Sequence, residues 1–171
     1  LGLKVRLVVS EEEIREAFRL RAAELHPDSG GDGTEFARLK EAKDILISPA
    51  RRLREWMLVR GIGAEQRGQI AGGLMDLFRK VSEAGAAAEI LIRKHAEAGS
   101  ALVKAFTEVS LITQREEIKN LLEHVAAEVE QRVGLFAAVE AGTSDPAVIM
   151  RDLVFLEKWR ATLRGIYGRL L

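Results

Sequence analysis

The chain has 171 residues, enough for one ordinary domain or two small ones with a core that needs no cross-links. Lys plus Arg and Asp plus Glu are each 26, and the balance is also local, with 12 basic and 11 acidic side chains up to Gly63 and 14 and 15 beyond it. That argues against a nucleic-acid partner, which needs a basic face, while the absence of Cys excludes disulfides, thiolate nucleophiles and Cys-built metal sites. No uncharged apolar run approaches the ~20 residues of a membrane span, so no membrane partner is expected and the expected placement is cytoplasmic. The chain begins at Leu1 without a Met, which leaves upstream residues open, a targeting segment among them.

Strand signals are almost absent. The one β-branched run, residues 4–9, is too short and isolated to pair. Ser10 and Glu13 then have capping-box spacing, and the acidic run Glu11-Glu12-Glu13 suits the positive end of a helix dipole. Ile14, Phe18, Ala22 and Leu25 follow at helical steps, and Pro27 stops the helix after His26. Residues 28–33 are a Gly-rich polar loop. Asp32 and Glu35 open a second helix with Phe36, Leu39, Ala42 and Leu46 on its apolar face. Ser48-Pro49 ends it and starts a third, N-cap Ser before Pro at the first helical position, which carries Leu53, Trp56 and Met57 and ends at Gly61.

Five glycines in the thirteen residues 61–73 read as a linker. Beyond it a helical pattern runs over about 74–112, with Leu74, Val81, Ala88, Leu102 and Val109 near a seven-residue beat and a break expected at Gly99-Ser100. A further helix is predicted from Thr113, which has capping-box spacing to Glu116, and it carries Ile118, Leu121, Leu122, Val125, Val129, Val133 and Phe136. The last starts at Ser144-Asp145-Pro146. The expected fold is all-α: a helical hairpin module over 1–62, then an antiparallel three-helix bundle over 63–171.

His26-Pro27-Asp28 closes one amphipathic helix just before the loop into the next. By itself the tripeptide is an ordinary helix stop. With residues 13–19, Phe36, Ala42, Leu46, Pro49 and Arg52 around it, the segment resembles a J-domain. That resemblance implies a hairpin whose tip meets a DnaK-type heat-shock chaperone and stimulates its ATP hydrolysis, with a basic helix face against an acidic chaperone surface. Arg15 and Arg19, four apart and so on one face, match that basic face, although Glu24 stands where a Lys is common. Leu1-Gly2-Leu3 resembles the tail of the family's first helix, which places most of that helix upstream and leaves part of the hairpin's apolar face uncovered.

Residues 55–61 are similar to the segment that joins the J-domain to the client module in HscB-like iron–sulfur co-chaperones. Residues 153–158 resemble the last helix of that module. The resemblance implies a second partner, the iron–sulfur cluster scaffold protein, bound through Leu74, Met75, Phe78 and Phe155. Two departures stand out: Arg79 and Lys80 occupy positions where the family has acids, and the stretch from Met75 to Phe155 is longer than usual. The last helix carries two neighbouring apolar stripes, one of Ile149, Leu153, Leu156, Leu163, Tyr167 and Leu170, the other of Val148, Phe155, Trp159 and Ile166. Their joint arc exceeds the ~100° that one core needs, so either a partner takes the second stripe or both are buried between neighbouring helices.

No catalytic residue, metal ligand or cofactor is expected. His95 and His124 lie apart among charged residues, Glu116-Glu117 fits a first helical turn, and Gly61-Ile62-Gly63 lacks the rest of a dinucleotide fingerprint. Arg51, Arg52 and Arg54 read as a helix surface. The alternative to a co-chaperone is a helical interaction or scaffolding protein with a divergent J-hairpin and a different client.

Overall fold

Side-chain caps set the starts of the first three helices. In the computed structural model, which describes residues 6–26, 32–63 and 72–171, helix α1 spans Glu11–Leu25. The Ser10 hydroxyl accepts from the Glu13 backbone N–H at 3.1 Å, and the Glu13 carboxylate accepts from the Ser10 backbone N–H at 2.8 Å. These bonds, with the nearby Arg6 guanidinium, hold the Glu13 carboxyl below the ordinary carboxylate range. Helix α2 spans Gly33–Ile47, capped by Asp32, whose carboxylate accepts from the Thr34 N–H at 2.8 Å. Helix α3 spans Pro49–Val59, with Ser48 accepting from the Arg51 N–H at 3.2 Å. It ends at Gly61, whose φ of 67° is the left-handed conformation that favours glycine. The remaining helices are α4 (Gly72–Ala96), α5 (Ala101–Gly134), the short α6 (Phe136–Glu140) and α7 (Pro146–Arg169). The described residues contain no strand, residues 6–9 included.

The chain forms two compact units that are discontinuous in sequence, residues 1–67 with 132–151, and residues 68–131 with 152–171. The linker read over 61–73 and the residues 1–3 similar to a helix tail fall largely outside the described residues. In the first unit α1 packs antiparallel-fashion on α2 as a hairpin, and α2 on α3. Burial in the hairpin is thin: Ile14 and Leu39 are buried, while Phe18, Ala22, Leu25, Phe36, Ala42 and Leu46 are half-buried. Helix α3 is the better covered, burying Ala50, Leu53, Trp56 and Met57.

Residues 132–151 join this unit through specific bonds. The Glu140 carboxylate accepts from the Leu7 backbone N–H at 2.6 Å, and the Phe136 ring lies under the Arg52 guanidinium at 5.3 Å. Arg52 also donates to the Val9 carbonyl at 2.7 Å. Arg52 is therefore buried, not part of a basic helix surface as the Arg51/Arg52/Arg54 run suggests. Its neighbours are a carbonyl and an aromatic face, both of which accept a guanidinium.

The second unit has a continuous core from α4 (Leu74, Leu77, Val81, Ala84, Ala88), α5 (Ile118, Leu121, Val125, Val129) and α7 (Leu153, Leu156, Trp159, Leu163, Ile166). A Cβ at Gly85 would lie 3.3 Å from the Ile166 Cδ1, so the glycine lets α4 and α7 approach closely. Of the two stripes on α7, the first is buried apart from the half-buried Tyr167; in the second Trp159 and Ile166 are buried, Phe155 is half-buried and Val148 is exposed.

Two expectations about helix phase fail here. The break does fall at 97–100, but the next helix starts at Ala101 and runs through Thr113 without interruption. The Thr113 hydroxyl donates back to the Val109 carbonyl at 3.2 Å, because the residues before it are already helical and leave no free helix start to cap. The seven-residue beat also ends at the break: Leu74, Val81 and Ala88 are buried, whereas Leu102 and Val109 are exposed. A loop resets helix phase, so one period cannot be carried across it.

Candidate functional site

Two surfaces gather the residues with candidate roles, one in each unit. At the end of α1, His26 is the C-cap, in an extended conformation (φ −65°, ψ 131°). The following proline disfavours helical geometry at this position, which is why α1 stops at Leu25. The His26 ring is half-buried and meets the Phe36 ring edge-on, centroids 5.2 Å apart, so the start of α2 braces the imidazole. Pro27 and Asp28 lie outside the described residues.

Arg15 and Arg19 are exposed on α1. Arg15 pairs with Glu11 at 3.1 Å, and Arg19 forms two bonds to Glu16, with Nε to Oε2 at 2.9 Å. The Arg19 hydrogen bond holds the Glu16 carboxyl below its ordinary range and raises the guanidinium in turn. The basic face is thus lined by its own carboxylates. Exposed pairs of this kind are weak and readily exchanged. Sequence reasoning missed two further cations on the hairpin. The Lys43 ammonium of α2 stands 4.8 Å from the Phe18 ring centre of α1, and Lys40 stands 4.7 Å from that of Phe36. Lys40 and Phe36 are one helical turn apart and legible as such; the Lys43–Phe18 contact exists only once the hairpin closes.

In the second unit Met75 and Phe78 are exposed at the start of α4, and Phe155 is half-buried on α7. Trp159 joins them: its rings lie 5.7 Å from Phe78 and 6.2 Å from Phe155. Phe78, Phe155 and Trp159 line one side of an open groove of about 590 Å³, which runs past Gly85 to Glu89 and Ile166. Leu74 is fully buried and holds α4 in the core, so any contact at that end of the helix is made by Met75 and Phe78 instead. Arg79 is paired with Glu83 at 3.3 Å. Among the described residues no cluster of three His, Asp or Glu side chains could hold a metal ion, and no helix is long and apolar enough to cross a membrane.

Comparison with known proteins falls into two parts. The DnaJ domain family matches residues 1–54. The chain is 38% identical over 50 residues to the chaperone protein dnaJ A6 of Oryza sativa subsp. japonica, and 44% identical over 45 residues to the chaperone protein DnaJ 1 of Cutibacterium acnes. Those alignments span 29% and 25% of this chain and 12% of each relative. In fold, the chain is similar to the chaperone HscB from Vibrio cholerae over 99% of its own length and 96% of that chain, with a TM-score of 0.56 at 18% identity.

Proposed function

From the match of residues 1–54 to the DnaJ domain family, we propose that the chain is a co-chaperone of a DnaK-type heat-shock chaperone. One observation carries this reading: His26, the first residue of the His26-Pro27-Asp28 tripeptide, caps α1 beside the loop between two packed helices, braced by Phe36. Arg15 and Arg19 lie on the same helix, each paired with a glutamate that an acidic partner surface would replace. The chemistry belongs to the partner. This chain contributes binding free energy that favours the partner's hydrolysis-competent state, a population shift set by differential affinity.

The second unit presents a client. The aromatic group of Phe78, Phe155 and Trp159, with Met75 exposed beside it on α4, supports a protein ligand, and the HscB-like fold supports an iron–sulfur cluster scaffold as that ligand. A chain without Cys cannot hold a cluster through thiolates, so its part is to bind the protein that does.

Single-turnover ATP hydrolysis by a cognate DnaK-type chaperone tests the first part. Wild type is expected to accelerate it, and His26→Gln and Asp28→Asn are expected to abolish the acceleration; equal stimulation by all three sinks the co-chaperone reading. For the second part, a pull-down of the cluster scaffold is expected to weaken with Phe78→Ala and Phe155→Ala. Undiminished capture by both variants points to a different client.

A further inference from the structure

The three-helix part of the second unit ends before its longest helix does. At the end of α7 the Arg169 guanidinium pairs with Glu89 of α4, with Nη2 to Oε2 at 2.8 Å, and the Leu170 carbonyl accepts from the Arg115 Nε of α5 at 3.1 Å. Residues 90–96 of α4 and 101–112 of α5 continue beyond that level as two helices. They are tied to each other by His95, whose Nδ1 lies 2.8 Å from the Thr107 hydroxyl. That hydroxyl donates to the Val103 and Lys104 carbonyls, so the imidazole is the donor to Thr107.

The side of α5 that faces α4 is accounted for: Thr107 and Leu111 are half-buried, and Gln114 is buried with its amide on the Ala84 carbonyl. At about 100° per residue, Leu102, Phe106 and Val109 fall on the other side of the helix. They are 68%, 69% and 65% exposed, with Val103 and Ile112 at the edges of the stripe and Ile90 of α4 also exposed. Between residues 101 and 113 the charged residues are Lys104 and Glu108, opposite in sign and on neither end of this stripe. A helix apolar on both its inner and outer sides behaves as a middle layer of a larger bundle.

We propose that this outer stripe of α5 is a self-association surface, occupied by the same stripe of a second copy of the chain. Area and charge select that occupant. Leu102, Phe106 and Val109 are each about two-thirds exposed, a large contiguous apolar patch for a monomer. Two such faces meeting bury an area at the low end for protein interfaces, which suits a weak contact between copies. A two-fold contact needs a patch that tolerates its own image, and an uncharged apolar stripe meets itself without like-charge repulsion. Two helices from each copy then form a four-helix layer, with Phe106 at the middle of the stripe. A lipid surface fits less well, because an interfacial helix sets Lys and Arg beside its apolar face, and here Glu108 cancels the single Lys104. The small area makes this a reversible dimer with a dissociation constant in the micromolar range.

Sedimentation velocity of the whole chain from low to high micromolar concentration tests the proposal, with helicity of each variant checked by circular dichroism. Wild type is expected to shift from monomer to dimer as concentration rises. Phe106→Glu and Val109→Glu, both at exposed positions, are expected to keep their helicity and raise the dissociation constant by about tenfold or more, because each places an unpaired charge in the contact. Phe78→Glu, on the aromatic face of the same unit, is expected to dimerise as wild type does. A wild type that stays monomeric throughout overturns the proposal. So does a dimer that survives both α5 variants, or one lost in Phe78→Glu alone. Flotation with phosphatidylglycerol vesicles is the remaining arm: a monomer that floats through Phe106 and Val109 assigns the stripe to a lipid surface instead.

Discussion

The hairpin of α1 and α2 and the bundle of α4, α5 and α7 are both helical, yet they bury very different amounts of apolar side chain. The hairpin has a capping box, an Asp cap and several surface ion pairs, but Ile14 and Leu39 are its only buried residues among those described. The bundle buries a run of Leu, Val and Ala on three helices, and Ser100 and Asp145 cap α5 and α7 much as the hairpin helices are capped. Caps therefore fix helix starts in both regions, and what sets the bundle apart is burial, the main source of stability for long helices. The contrast also explains why the bundle carries surplus apolar surface. Helices recruited by burial can grow past the point where a third helix covers them, as α5 does.

Substitutions can break or sharpen this contrast. The largest effect is expected in the bundle: Leu163→Ala removes a fully buried side chain between α7 and its neighbours, for a loss of about 2–5 kcal/mol in urea unfolding. Arg52→Met should cost less, about 1–3 kcal/mol, by leaving the Val9 carbonyl without its donor while keeping some packing on Phe136. Hydrogen exchange in residues 6–9 should rise in that variant. Ser10→Ala removes the α1 cap and should cost about 1 kcal/mol, read as faster exchange in the first turn of α1 with the bundle unaffected. A Ser10→Ala loss as large as that of Leu163→Ala would dissolve the distinction between the two regions.

The smallest effect is a pH dependence. Glu13, Glu16 and Glu89 all have carboxyls held below the ordinary value of 4.5, the first by Ser10 and the others by Arg19 and Arg169. A depressed folded-state value means that their contribution is complete above about pH 4.5 and is lost as pH falls through the lowered values. Thermal stability should therefore be flat from pH 8 to about pH 5 on their account and decline below about pH 4.5. All three are solvent-exposed, so the decline should shrink in high salt. A stability that rises on acidification would contradict the assignment.

Much of the hairpin was legible because its signals are local. Ser10 with Glu13, Asp32 before α2, Ser48-Pro49 and the left-handed Gly61 each act within a few residues of where they stand. The His26-Pro27 stop is of the same kind. The residues that misled are those whose role depends on distant neighbours. Thr113 has the spacing of a cap, but the helix before it left nothing to cap. Leu74, which only the family resemblance assigned to a partner contact, is enclosed by the core. Arg52 sits in a basic run and is drawn inward by Val9, 43 residues earlier, and by Phe136, far later.

Sequence alone determined the all-α class and the helix starts in the first module, since caps, prolines and helical periodicity are short-range physics. It also determined that charge could act only locally and that no thiolate was present. Tertiary structure decided which apolar stripe became core and which stayed bare. Leu102, Phe106 and Val109 on one helix and Leu153, Leu156 and Leu163 on another are equally apolar. What stands opposite them separates their fates, because burial is a property of the neighbour and not of the side chain.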